Sequence, residues 1–175
     1  RDMTISAPNE VWTTDLTYVR MRRGFIYLVA VMDWFTRYVL SWGISTTLDA
    51  AFCIDALERS LEVGRPKIFN SDQGSQFTSR EFTGILEAQG ISISMDGRGR
   101  VFDNIFIERL WRTVKYEEVY LKDYADVWQA ESNLDRYFRF YNTERPHTAL
   151  QKKTPHEVYW GTAESPALTH HAREG

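Results

Sequence analysis

Three acidic residues stand in settings that could serve metal-dependent chemistry: Asp15, Asp72 and Glu108. Asp15 lies in Trp12-Thr13-Thr14-Asp15-Leu16-Thr17-Tyr18, a stretch of β-branched and aromatic residues. A carboxylate there runs against strand propensity and is costly to bury alone. Such a breach of local rules often marks a site; the plainer alternative is a solvated Asp on an exposed edge strand. Asp72, in Phe69-Asn70-Ser71-Asp72-Gln73-Gly74, sits where a short apolar run gives way to a loop. Ligands in α/β sheets bind at such strand ends, although taken alone the residue reads more simply as an Asp-x-Gly turn. Glu108 shares a helix face with Arg112 and Lys115, at i, i+4 and i+7 spacing, while Ile107, Leu110, Trp111 and Val114 occupy the other side. That face is either an ordinary ion-paired surface or a metal-ligating carboxylate beside two phosphate-reaching cations.

The chemistry such a set would serve is in-line attack at phosphorus. Two divalent ions about 3.5–4 Å apart can activate the attacking oxygen and stabilise the leaving one. Hard cations such as Mg²⁺ prefer carboxylate oxygens and keep several waters. A few carboxylates converging from separate elements meet that need.

The elements that must position them can be read from periodicity. Residues 10–21 and 25–35 read as strands, the second buried on both faces, with Arg22-Arg23-Gly24 as the turn between them. Tyr38 to Ile44 completes an antiparallel meander. Ala50, Ile54, Leu57 and Leu61 then recur at helical spacing, so 48–63 is a helix stopped by Gly64 and Pro66. Lys67 to Asn70 is a short strand; Ser79 opens a helix to about Gln89-Gly90; Ile91 to Ser94 is a fifth strand. Gly97-Arg98-Gly99-Arg100 is a basic loop, either a plain connector or a phosphate clamp. Asp103 or Asn104 caps a helix over 104–119, and a long amphipathic helix covers about 125–142. The order β-β-β-α-β-α-β-α predicts an α/β fold, a mixed five-stranded sheet with helices on both faces.

Composition sets bounds. With 175 residues, 43% hydrophobic and 26% charged, the chain suits one globular domain. A net charge of −3 is unlike a dedicated nucleic-acid binder. Yet Arg98, Arg100, Arg109, Arg112 and Lys115 crowd into 18 positions, and a carboxylate cluster would be offset by bound cations. The single cysteine, Cys53, excludes an intrachain disulfide and reads as a small buried residue. No apolar run is long enough for a membrane span and none opens the chain, so a cytoplasmic protein is expected.

The arrangement of the three acids says more than each alone. Asp72 follows Asp15 by 57 positions, and 35 residues separate Asp72 from Glu108. This spacing resembles the Asp, Asp, 35-residue gap, Glu signature of the integrase core of bacterial insertion-sequence transposases, relatives of retroviral integrase. The surrounding words match as well: Val11 to Tyr18, Asp33-Trp34-Phe35-Thr36-Arg37, Ser71 to Phe77, Asp103-Asn104 through Trp111, and Tyr141 to His147 with Leu150 and Pro155. The resemblance spans about 9–160, leaving 1–8 as a lead-in and 161–175 as a flexible tail. It implies an RNase H-like fold and a metal-binding, catalytic triad of Asp15, Asp72 and Glu108. It implies Mg²⁺ or Mn²⁺, two ions, as cofactor, and cleavage at element ends followed by strand transfer into target DNA. Lys115 matches the basic residue of the family that contacts the transposon end; Arg112, Arg98 and Arg100 are further DNA-binding candidates. An oligomer on DNA is expected, and no membrane partner. A helix-turn-helix recognition region usual in the family has no room before residue 9, so one outside this chain is expected. A purely hydrolytic RNase H-like nuclease and a non-catalytic DNA-binding remnant are the alternatives.

Other residues have plainer readings. Asp33 is expected to pair with Arg37 at a turn, His147 to pack or touch DNA, and Trp12, Trp34, Trp111 and Trp128 to lie mostly in the core.

Overall fold

The structure, a computed structural model, describes residues 4–95 and 104–161. Strands β1 (Val11–Arg20), β2 (Phe25–Asp33) and β3 (Val39–Ser45) form the antiparallel meander. The β1–β2 turn is closed by Met21 N–H donating to the Gly24 carbonyl at 3.0 Å, and Gly24 takes φ +74°, which L side chains rarely adopt. Helix α1 (Ala51–Val63) then crosses to β4 (Ile68–Ser71), which lies parallel to β1. Short α2 (Ser75–Thr78) and α3 (Arg80–Ala88) return the chain to β5 (Ser92–Met95), parallel to β4. The strand order is β3-β2-β1-β4-β5. Helices α4 (Ile105–Val114), α5 (Val127–Thr143) and α6 (Pro155–Trp160) follow.

Side-chain alternation gives the sheet two buried faces. Val19 of β1 and Ile26, Leu28, Ala30 and Met32 of β2 pack against α4 and α5 through Ile107, Leu110, Val114, Leu134 and Phe138. Trp12, Val29, Val31 and Phe69 point the other way, onto Cys53, Leu57, Phe82 and Leu86 of α1 and α3. Asp15 lies opposite Ala30 in the β1–β2 register, so it belongs to the face under α4.

Several expectations are refined. The predicted helix over 104–119 is α-helical only to Val114; Lys115–Val119 forms a π-helical turn. Trp12 and Trp111 are buried and Trp34 is half-buried, but Trp128 is 83% exposed. It falls on the solvent side of α5, whose buried stripe is Ala130, Leu134, Tyr137, Phe138 and Tyr141. Asp33 is structural, as expected, but its bonds go to the backbone N–H of Asn9 (2.8 Å) and to the N–H and hydroxyl of Thr36 (2.9 and 2.8 Å). Arg37 instead donates to the carbonyls of Trp34 and Phe35, and its guanidinium lies 3.3 Å from the centroid of the Phe106 ring. Ser79 caps α3 by accepting from the Phe82 N–H, as its position predicts. His147 is packed edge-on against Tyr141, 4.9 Å between centroids. Among the described residues, no helix is long and apolar enough to cross a membrane. The Gly97–Arg100 loop and the tail beyond Gly161 lie outside the described residues.

Candidate active site

The two aspartates are brought together by strand register. Every paired residue of β1 faces the β4 residue 57 positions later, from Val11 opposite Ile68 to Thr13 opposite Asn70. Asp15 and Asp72 carry the same separation. Continuing the row places the second carboxylate just past the end of β4, beside the first, on strands about 4.8 Å apart. The carboxyls interact, and the consequence is electrostatic. Burial is the main cause that lifts Asp15 from 3.8 to about 6; the neighbouring Asp72 lifts it further, while bonds from the Leu16 backbone and the Trp111 indole oppose the rise. Asp72 also shapes its own loop, accepting from Gly74 N–H at 2.8 Å. A Cβ on Gly74 would stand 2.9 Å from that carboxylate oxygen, so a larger residue there would require the Asp72 side chain to shift.

Helix α4 lies over this pair and is fastened to β1 at three points. Asn104, at its N-terminus, accepts from the Thr13 hydroxyl at 3.2 Å. Trp111 donates its indole N–H to Asp15 Oδ2 at 3.2 Å. Lys115 donates to the Thr17 hydroxyl at 2.8 Å, with its ammonium 5.4 Å from the Tyr18 ring centroid. Thr13, Asp15 and Thr17 are alternate residues on one face of β1. At 3.6 residues per turn, Asn104, Glu108, Trp111 and Lys115 lie within roughly 60° of one another on α4. Glu108 therefore sits on the fastened stripe, between the Thr13 and Asp15 contacts, with its side chain exposed. Among the described residues no three acidic, His or Cys side chains are gathered closely enough to hold a metal ion.

The other candidates separate in space. Arg112 is exposed on the outer side of α4, 5.7 Å above the Tyr116 ring. Lys115 instead points inward to Thr17. Arg98 and Arg100 lie outside the described residues. Sequence reasoning offers Asn104 only as a helix cap and within a matching motif, and does not mark Thr13 or Asn70 as its partners, because buried hydroxyl and amide contacts leave no mark in periodicity.

The chemistry of the donor set is that of a hard cation: two adjacent, half-buried carboxylates whose mutual repulsion a divalent ion would relieve. The residues present thus fit such an ion at Asp15 and Asp72, with Glu108 on the overlying helix.

Two sequence profiles, each described as an integrase core domain, match residues 5–100 and 89–155. The chain belongs to the integrase core domain family. Among curated relatives, the transposase of insertion sequence element IS904 from Lactococcus lactis is 30% identical, over 86% of this chain and 61% of its own length. A 31 kDa protein of insertion element IS600 from Shigella sonnei is 32% identical, over 86% of this chain and 57% of its own. The chain therefore spans little more than half the length of these relatives. The catalytic core of HTLV-2 integrase, in complex with magnesium, superposes with a TM-score of 0.71 at 21% identity, covering 87% of this chain and 97% of that one. A chain of the simian T-cell lymphotropic virus intasome gives 0.75 at 20% identity, over 91% of this chain and 57% of that one. The fold of this integrase core is thus RNase H-like.

Proposed function

We propose that residues 9–160 are the catalytic unit of an insertion-sequence transposase, cutting DNA at element ends and joining the freed 3′-hydroxyl to target DNA. The single observation that carries this reading is the Asp15–Asp72 carboxylate pair, held in register by β1 and β4 and overlaid by the Glu108 stripe of α4. The IS904 relative is itself named a transposase.

In this reading Asp15 and Asp72, with Glu108 from the first turn of α4, would hold divalent metal, Mg²⁺ or Mn²⁺. Metal bound there would supply charge neutralisation and a more acidic attacking water or hydroxyl. The chain's own groups do the rest. The Trp111 indole donates to Asp15 Oδ2, so that oxygen is committed and the carboxyl is oriented. Lys115, tied to Thr17 through one of its three protons, keeps two for a phosphate oxygen. Arg112, with Arg98 and Arg100, would meet the DNA backbone. The DNA partner, an oligomer assembled on paired ends and a recognition region outside this chain belong to the same proposal.

The test is joining of a labelled, pre-cleaved donor end to target DNA in Mg²⁺ or Mn²⁺, comparing the chain with Glu108→Gln. Joined products that require metal and Glu108 support the reading. Equal activity in Glu108→Gln sinks the assignment, and cleavage without joining points to a hydrolytic nuclease.

A further inference from the structure

We propose that Asn104 is a positioning residue, whose side-chain oxygen clasps β1 and β4 and so sets where Glu108 stands above the Asp15–Asp72 pair. The proposal rests on the functional reading above and deepens it.

An asparagine at a helix N-cap ordinarily turns its oxygen onto a backbone N–H two or three residues on. Asn104 occupies that position and makes no such bond. Its Oδ1 accepts instead from the Thr13 hydroxyl at 3.2 Å and from the Asn70 amide at 3.1 Å, and the latter amide also reaches Thr13 Oγ1 at 3.5 Å. Thr13, Asn70 and Ser94 are register partners across β1, β4 and β5, so they form one polar row beneath the start of α4. Thr13 and Asn70 are 0% exposed and Ser94 is 7% exposed.

Stability does not account for such a row. Apolar side chains would fill it without demanding partners. Asn70 Oδ1 and Ser94 Oγ have no hydrogen-bond partner among the described residues. What the clasp does accomplish is placement. The Asn104 carbonyl accepts the Glu108 N–H at 3.0 Å, so one helical turn links the clasped side chain to the backbone of the glutamate. The next fastening along the helix, Trp111 on Asp15, lies on the other side of Glu108. With both in place, Glu108 is tied to β1 on either side; with the clasp removed, the first turn keeps the packing of Phe106 and Ile107 but loses these hydrogen bonds to β1 and β4.

Both bonds use Oδ1 alone, which makes the test specific. Asn104→Leu removes the acceptor at similar volume, Thr13→Val removes the partner, and Asn104→Asp keeps an acceptor. Two quantities are read on the full chain: the Mg²⁺ concentration giving half the metal-induced rise in melting temperature, and the metal dependence of donor-end joining. The clasp predicts that Asn104→Leu and Thr13→Val raise half-saturation about tenfold in both, the lower end for residues that orient metal ligands. Maximal joining is approached at high metal, and Asn104→Asp returns half-saturation to near the wild-type value. Unchanged half-saturation in both Asn104→Leu and Thr13→Val overturns the proposal. So does an equal shift in Leu57→Ala, a core variant on the opposite face of the sheet, or failure of Asn104→Asp to rescue. Wild type that responds to Mg²⁺ but joins no DNA overturns the transposase reading alone, since the clasp is still judged by the melting shift. Wild type with no Mg²⁺ response removes both.

Discussion

Replacing Asp15 by asparagine should stabilise the metal-free protein while abolishing its chemistry. Burial, the largest influence on this carboxyl, lifts it from 3.8 to about 6, with Asp72 adding to the rise. Each pKa unit is worth about 1.4 kcal/mol, so the charged form bears a penalty approaching 3 kcal/mol in the fold; allowing for partial solvation, about 2–3 kcal/mol. The folded-state value lies above the unfolded one, so the native state holds the proton longer. Stability from this group is therefore fully present below about pH 4, is lost as pH rises to about 6, and stays lost above. The asparagine of the variant carries no charge to desolvate and keeps an oxygen for the Trp111 indole. Denaturant unfolding in chelator at pH 4, 6 and 8 should show the variant equal to wild type at pH 4 and more stable by about 2–3 kcal/mol at pH 8. In a domain of this size that is a rise in melting temperature of about 4–12 °C. A variant less stable than wild type at pH 8, or a difference independent of pH, would refute the electrostatic argument.

Other expectations follow from the same contacts. Trp111→Phe keeps most of the packing but removes the indole donor, so it should lower stability at pH 8 by about 1–3 kcal/mol and raise the Asp15 pKa further, read by urea melts and carboxyl NMR titration. Arg145→Ala breaks a two-pronged contact with Glu117, Nε to Oε1 at 2.8 Å and Nη2 to Oε2 at 2.6 Å; both groups are partly exposed, so the loss near neutrality should be about 1 kcal/mol. Because Arg145 holds the Glu117 carboxyl below its ordinary 4.5, that loss should fade as pH falls beneath 4.5, which acid-limb unfolding curves will show. Trp128→Ser should change stability by less than about 0.5 kcal/mol by thermal melt, since that indole is 83% exposed.

Strand periodicity exposes the sheet because β1 and β2 are long and cleanly patterned, and the position of Asp15 among β-formers singles it out. The 57-residue gap to Asp72 is visible as spacing, but its physical meaning, the offset of the β1–β4 pairing, requires the register. Glu108 is legible through family spacing and helical phase, not through any contact it makes. Asn104 illustrates the limit of local reading. As a sequence feature it is an N-cap; only the fold reveals that Thr13 and Asn70 compete for its oxygen and win. The π-helical turn after Val114 is hidden for a similar reason, since the local residues suit an α-helix and tertiary contacts decide. Trp128 departs from expectation because large apolar residues in an amphipathic helix suggest burial, whereas its angular position on α5 puts it in solvent. An Asp33–Arg37 pair follows from proximity alone, and the Asn9 and Thr36 donors satisfy the acid first.

The central claim is that Asp15 and Asp72 together hold divalent metal beneath the Glu108 stripe, and Mn²⁺-soaked crystals test it most directly. An anomalous difference peak lying within about 2.0–2.5 Å of a carboxylate oxygen from both aspartates, and absent in Asp15→Asn, is the predicted result. Metal bound elsewhere, or a peak unchanged in Asp15→Asn, would contradict it.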